Sequence, residues 1–189
     1  MTAALKRSHL SVEEYLNGEI DSPVKHEYLG GEVHAMAGAT NRHNLIASNT
    51  LGLLFGDLRG KSCRAFNSNT KVRIELQNQT RLYYPDAMVV CDSNSGTDVY
   101  QERPVIIIEV LSDSTRRTDL TEKREAYMAI PSLKVLLFVE TDEPAVLVYR
   151  RGPMGGFLPE KYEGLEAVIA LPEIGAQLSV AEIYERVDF

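Results

Sequence analysis

The stretch from Pro104 to Ser112, PVIIIEVLS, constrains this chain more than any other. Val105, Ile106, Ile107, Ile108, Val110 and Leu111 form a β-branched and aliphatic run, which predicts a strand covered on both faces inside a sheet. Glu109 interrupts that run. A carboxylate in such a place loses its solvation unless something compensates, so it must be protonated, salt-bridged or bound to a metal. The plain alternative is a structural Arg or Lys meeting it at the strand end.

A second carboxylate arrives in the same way. Tyr83 to Cys91, YYPDAMVVC, reads as another apolar strand, with Pro85 near its start where a missing N–H costs least. On period two, Asp86 shares a face with Tyr84, Met88 and Val90. Upstream, KVRIEL (71–76) alternates charged and apolar residues and suits a strand at a sheet's margin. Asp92 to Arg103 is a polar loop leading into the central strand. After that strand a helix is predicted from about Thr118 to Pro131, with Asp119, Lys123 and Tyr127 four apart; an exposed helix pair is the plain account of Asp119 and Lys123. KVLLFVE (134–140) and AVLVYR (145–150) are two further strands joined by TDEP. The tail offers a Gly-rich loop at 151–156, a short strand near 166–170, and a last helix from Ser179, where Ser179 and Glu182 form a capping-box pattern.

At the other end, Ser11 and Glu14 make the same pattern ahead of a short helix that stops at Gly18. Gly30 and Gly31 then mark a two-residue hairpin within KHEYLGGEVHAMA (25–37), with Glu27 and Glu32 near the turn, where cross-strand surface charge competes with a functional role. From Thr40 to about Arg59 the spacing is helical: Ile46, Leu54 and Leu58 share a stripe with Ala47, Leu51 and Phe55. His43 falls in its first turn, where the helix N-terminus favours a neutral imidazole. It serves either as a partly buried capping residue or as a hydrogen-bonding group in a site.

At 189 residues the chain suits a single domain spanning 1–189, with a core of ordinary size. The formal charge of −7 excludes a broad electropositive coat, though not a local basic lip. The longest apolar runs fall well short of the roughly 20 residues that span a bilayer. The opening MTAALKRSHLSVEEY lacks the apolar core of a secretory signal, so a cytoplasmic location with no membrane contact is expected. Cys63 and Cys91 have no metal-ligand spacing and read as small buried residues compatible with a reducing compartment.

Asp86 and Glu109, from neighbouring apolar strands, together with Lys123 from the helix behind them, are the residues that carry chemistry. Two carboxylates forced together repel, and a divalent cation answers that repulsion. Oxygen ligands suit magnesium or manganese; magnesium in particular is held by one or two carboxylates, waters and substrate phosphate. Such an ion activates water and neutralises a phosphorane-like charge, so phosphodiester hydrolysis is the expected reaction class.

Pro85–Asp86 and Glu109 in IIIEVLS resemble the PD and (D/E)XK elements of the PD-(D/E)XK nuclease superfamily. More specifically, HEYLGGEV, His43 at a helix start, YYPDAMVV, IIIEVLSDST, Asp119 with Lys123, Tyr127 and KVLLFVE are together similar to the Uma family of restriction-endonuclease-like proteins, over about residues 11–184. The resemblance implies an α/β (mixed α+β) fold: a restriction-endonuclease-like mixed central sheet of about four core strands flanked by helices, preceded by an N-terminal helix and hairpin. It also implies that Glu27 and His43 border the site and that the Val110 carbonyl joins Asp86 and Glu109 as a metal ligand. One departure stands out. The superfamily lysine two residues after the Glu is Leu111 here, and family likeness moves that role to Lys123.

The expected function is a magnesium- or manganese-dependent endonuclease acting on DNA. Arg116, Arg117, Lys123 and Arg124 supply cations for a few phosphate contacts, and nothing in the chain reads bases. A homodimer is expected for cutting two strands, with 145–150 as an edge strand able to serve. The rival is a catalytically inactive nuclease-like binding or regulatory module, favoured by the missing in-line lysine and the acidic balance. A carboxylate-pair glycosidase is disfavoured, because the chain has no Trp to stack on sugars.

Overall fold

The structure is a computed structural model and describes residues 9–189. The opening residues, on which the absence of a secretory core was partly read, lie outside the described residues. In chain order the elements are helix α1 (Val12–Ile20), strands β1 (His26–Leu29) and β2 (Glu32–Ala35), helix α2 (Asn41–Asp57), and strands β3 (Arg64–Asn67), β4 (Lys71–Glu75), β5 (Thr80–Tyr83), β6 (Ala87–Val90), β7 (Tyr100–Gln101) and β8 (Pro104–Val110). Then come α3 (Arg116–Thr118), a π-helical segment (Asp119–Lys123), α4 (Arg124–Met128), β9 (Val135–Val139), β10 (Ala145–Arg151), β11 (Phe157–Glu163), β12 (Val168–Leu171), β13 (Ala176–Ser179) and α5 (Val180–Ile183).

The larger sheet has six strands in the order β11-β10-β9-β8-β6-β3, and β8 lies at its heart, parallel to β9 and antiparallel to β6. Its alternate residues face two separate cores. Ile106, Ile108 and Val110 pack with Ile46 and Leu54 of α2, whereas Ile107 and Leu111 pack with Tyr83, Tyr127 and Phe138. The expected strand covered on both faces is therefore present. A five-stranded sheet, β2-β1-β5-β4-β7, stands beside it, and β12 with β13 form a small ribbon.

The two sheets meet where the chain leaves one for the other. YYPDAMVVC is not one strand: β5 ends at Tyr83, β6 begins at Ala87, and each belongs to a different sheet. Pro85 cannot donate to a ladder, so the break falls at Tyr84 to Asp86. For the same reason β4 is not at the margin of the main sheet but inside the second one, between β5 and β7.

Local signals hold at several ends. The Ser11–Glu14 capping box forms, although α1 runs on past Gly18 to Ile20, and Thr40 caps α2 by accepting from the His43 N–H. Gly30 and Gly31 make the hairpin turn with φ of 59° and 106°, values that L side chains adopt only with strain. At the tail, Ser179 makes no side-chain cap, and α5 is a single four-residue turn. The strand β11 has no counterpart among the expected elements. It covers β10, so residues 145–150 are not a free edge; the edges of the main sheet are β11 and β3.

The cysteines also depart from expectation. Antiparallel pairing sets Arg64 opposite Val90, so the next residues outward, Cys63 and Cys91, are brought together and joined in a disulfide. Both are only half-buried. A disulfide belongs with oxidising surroundings, so the pair lends no support to a reducing compartment. Among the described residues no helix is long and apolar enough to cross a membrane.

Arg151 fastens the end of α4 to the sheet. Its guanidinium donates to the carbonyls of Met128, Ile130, Leu133 and Gly155 at 2.7–3.1 Å and lies 4.4 Å from the Phe157 ring centre. Charged hydrogen bonds to backbone carbonyls are worth roughly 1.5–3 kcal/mol each before solvent screening. Arg151→Ala is expected to lower unfolding free energy by about 2–4 kcal/mol in urea titrations. Arg151→Lys should recover only part of it.

Candidate active site

Glu109 lies on the β8 face that also carries Ile107 and Leu111, and it is 4% exposed. Its Oε1 accepts from the Tyr127 hydroxyl at 2.6 Å, and the Lys123 ammonium stands 3.5 Å from the same oxygen. Burial is the main cause that pushes the Glu109 carboxyl up to about 8; the charges of Asp119 and Asp86 add to it, while Lys123 and Tyr127 oppose it.

Lys123 is not an exposed partner of Asp119. Both are buried, and the ammonium sits 2.8 Å from Glu27 Oε1 and 3.3 Å from Asp119 Oδ1 as well as beside Glu109. Burial alone would lower its pKa, but these carboxylates outweigh burial and raise it, so Lys123 keeps its proton. The π-helical segment explains the arrangement. The Arg124 N–H reaches back to the Asp119 carbonyl, a wider turn than an α-helix makes, and this widened turn carries both Asp119 and Lys123 inward. Glu27 comes from β1, Glu109 from β8, and all of them converge on one ammonium.

Asp86 approaches from the sheet crossing. Its Oδ2 accepts from the Val110 N–H at 2.7 Å and lies 3.3 Å from His43 Nε2. Burial disfavours the charged imidazole, but Asp86 and the Val110 backbone outweigh it and raise the His43 pKa, contrary to the neutral histidine expected from the helix end alone. Its Nδ1 is buried without a hydrogen-bond partner. Asp86, Glu109, Val110, His43 and Lys123 line one cleft of about 400 Å³, and Glu27 faces the adjoining cleft, which shares Asp119 and Lys123.

Among the described residues no three His, Cys, Asp or Glu side chains gather into a metal cage. The donor set nevertheless fits magnesium: Asp86, Glu109 and Val110 line one cleft open to water, and two carboxylates with a backbone carbonyl are the supply a hydrated magnesium ion takes. The local charge fits too, since Glu27, Glu109 and Asp119 share the single ammonium of Lys123, and burial makes an unmatched carboxylate costly.

The basic cluster after β8 differs from expectation. Arg116 is paired with Glu140, Arg124 lies 5.7 Å from the Tyr149 ring centre, and Lys123 is enclosed. Arg117 is exposed, and its side chain makes no hydrogen bond or ion pair among the described residues. The sequence predicts no role for Tyr127 and none for Asp119 beyond pairing; their spacing of four from Lys123 is the signal it offers.

The mixed central sheet with its flanking helices has a restriction-endonuclease-like fold. Residues 12–181 match the Uma2 family model, described as "Putative restriction endonuclease", and the chain belongs to that family. It is 32% identical over 182 residues to an uncharacterized protein of Synechocystis sp., covering 95% of this chain and 94% of that one. A second uncharacterized protein of the same organism is 31% identical over 134 residues, 69% of this chain and 75% of that one. Among solved structures, that of a "putative nuclease" from Anabaena variabilis superposes with a TM-score of 0.71 at 17% identity, covering 93% of this chain and 97% of the other.

The raised Glu109 pKa has a definite sign for stability. Between its ordinary value of 4.5 and about 8 the folded chain binds more protons at this group than the unfolded chain, so its contribution weakens as pH rises through that window. Glu109→Gln keeps an acceptor for Tyr127 and removes the titration. The variant is expected to match wild type near pH 5 and to exceed it in melting temperature at pH 8 in metal-free buffer.

Proposed function

We propose that this protein is a divalent-metal-dependent endonuclease that hydrolyses phosphodiester bonds of DNA. The observation that carries the reading is that Asp86 and Glu109, delivered by the sheet crossing and by the central strand, line one cleft together with the buried Lys123 ammonium. Family membership and the fold agree with a nuclease.

In this reading Asp86, Glu109 and the Val110 carbonyl hold magnesium or manganese. When bound, the ion supplies a water of lowered pKa and charge neutralisation at the phosphate. Glu109 must give up its proton to become a ligand. Tyr127 then holds its Oε1 in place through the 2.6 Å hydrogen bond. Lys123 presents a fixed positive charge at the cleft wall, where negative charge grows on the phosphoryl oxygens in the transition state. Glu27 and Asp119 keep that ammonium charged and aimed. His43 fixes one oxygen of Asp86 and borders the path of the strand. A water oxygen attacks phosphorus, one P–O bond breaks, and the leaving oxygen takes up a proton. Cutting both strands of a duplex calls for a second copy, and β11 or β3, as the free edges of the main sheet, are the places for it to meet the first.

Asp86→Asn is the direct test. With magnesium present, wild type is expected to nick supercoiled plasmid while Asp86→Asn and Lys123→Met lose at least about 100-fold, in line with the loss of a metal ligand or a transition-state charge. Equal nicking by all three would assign the activity elsewhere. No nicking by wild type, together with no magnesium binding in calorimetry, would favour a non-catalytic binding module.

A further inference from the structure

The cleft has a second cationic wall that this chemistry does not use. Lys25, just before β1, and Tyr84, at the sheet crossing, both line the cleft that holds Asp86 and Glu109. The Lys25 ammonium lies 5.4 Å from the Tyr84 ring centre, and that of Lys71, the first residue of β4, lies 5.0 Å from the same ring. One aromatic ring thus holds two like charges, which repel.

Among the described residues neither ammonium makes a direct ion pair with a carboxylate. Lys71 is 7% exposed, and its ammonium makes no hydrogen bond or ion pair among the described residues. Lys25 donates only to the Ser68 carbonyl, at 2.7 Å. The nearby carboxylates are committed elsewhere: Glu19 to His26 and the Tyr84 hydroxyl, Asp86 to His43 and the Val110 N–H. Burial lowers the pKa of both lysines; Asp86 opposes it at Lys25 and Glu19 at Lys71, while Lys25 adds a smaller downward push on Lys71. Opposite them, Gly38, Ala39 and Asn44 bring the first turn of the 17-residue α2, with its positive dipole end, to the same cleft.

We propose that Lys25 and the Tyr84 ring, with Lys71 adding charge through that ring, form a phosphate subsite that takes the backbone phosphodiester next to the one being cut. Lys25 touches the phosphate; Lys71, which does not line the cleft, holds the ring and strengthens the field. Lys123 and Lys25 then flank the Asp86–Glu109 pair, and a strand laid through the cleft passes both. The subsite deepens the nuclease reading and rests on it for the identity of the strand.

The test is fluorescence anisotropy of a labelled DNA duplex across a salt series, with divalent metal withheld so that nothing is cut, followed by cleavage with magnesium on the same preparations. Lys25→Met is expected to weaken binding about tenfold at low salt and to flatten the log affinity against log salt slope by about 0.7–0.9, the signature of one lost phosphate contact. Lys25→Arg should restore the slope, Lys71→Met should weaken binding several-fold, and Lys61→Met, whose ammonium bonds the Gly175 carbonyl away from the cleft, should match wild type. Circular dichroism melts check that Lys71→Met folds; Lys25→Met, at a half-exposed position, decides the matter if it does not. An unchanged slope in Lys25→Met overturns the subsite, even if wild type cuts. Wild type that binds no duplex overturns it as well. Wild type that binds without cutting, with the slope lowered in Lys25→Met, overturns the nuclease reading and leaves the subsite standing.

Discussion

One ammonium shared by three carboxylates, from Lys123 to Glu27, Glu109 and Asp119, is the interaction on which the rest of this structure depends. It lets β8, an otherwise apolar strand at the middle of a six-stranded sheet, carry an acid. Removing the ammonium from such a buried group typically costs about 3–5 kcal/mol, because the acids are left uncompensated. The three acids come from β1, β8 and the π-helical segment, so the cluster also ties the hairpin and the helical segment to the central strand. It does not balance its own charge. Burial and the charges of Asp119 and Asp86 push the Glu109 carboxyl up, and a divalent cation would relieve the same repulsion in the proposed function.

The position of the cleft follows from chain topology. Tyr84, Pro85 and Asp86 form the short link by which the chain passes from the second sheet to the main one, and the cleft opens along it. A strand cannot continue through this link, so its side chains are free to face inward: Tyr84 toward the lysines, Asp86 toward Val110 and His43. The α2 helix begins on the other side of the same opening, with Thr40 closing its first turn so that His43 meets Asp86. Scaffold and chemistry therefore share residues. Fold alone does not assign an activity, and the functional reading rests on this arrangement of charges.

Much of this was legible in the sequence. The apolar run around Glu109, the hairpin at Gly30–Gly31 and the stripe of α2 depend on local spacing, and local spacing is what a sequence displays; the alternation expected to set Asp86 on a strand face does not hold, because Asp86 lies in the link between β5 and β6. The pairing of Cys63 with Cys91 was not, because it follows from the register of β3 on β6 rather than from any motif. Nor was β11, whose alternately exposed residues carry little apolar signal. The inward turn of Asp119 and Lys123 depends on an i to i+5 turn that no residue type announces. Lys71 read as a solvent-facing member of an alternating strand; only the second sheet, absent from the expected architecture, encloses it beside Tyr84.

A crystal structure of the protein soaked in manganese, read by anomalous scattering, tests the central claim most directly. The account predicts one strong peak in the cleft, about 2.1 Å from oxygens of Asp86, Glu109 and the Val110 carbonyl, with the Lys123 ammonium still among Glu27, Glu109 and Asp119. A cleft without such a peak at saturating manganese, with Glu109 still bonded only to Tyr127 and Lys123, would contradict it.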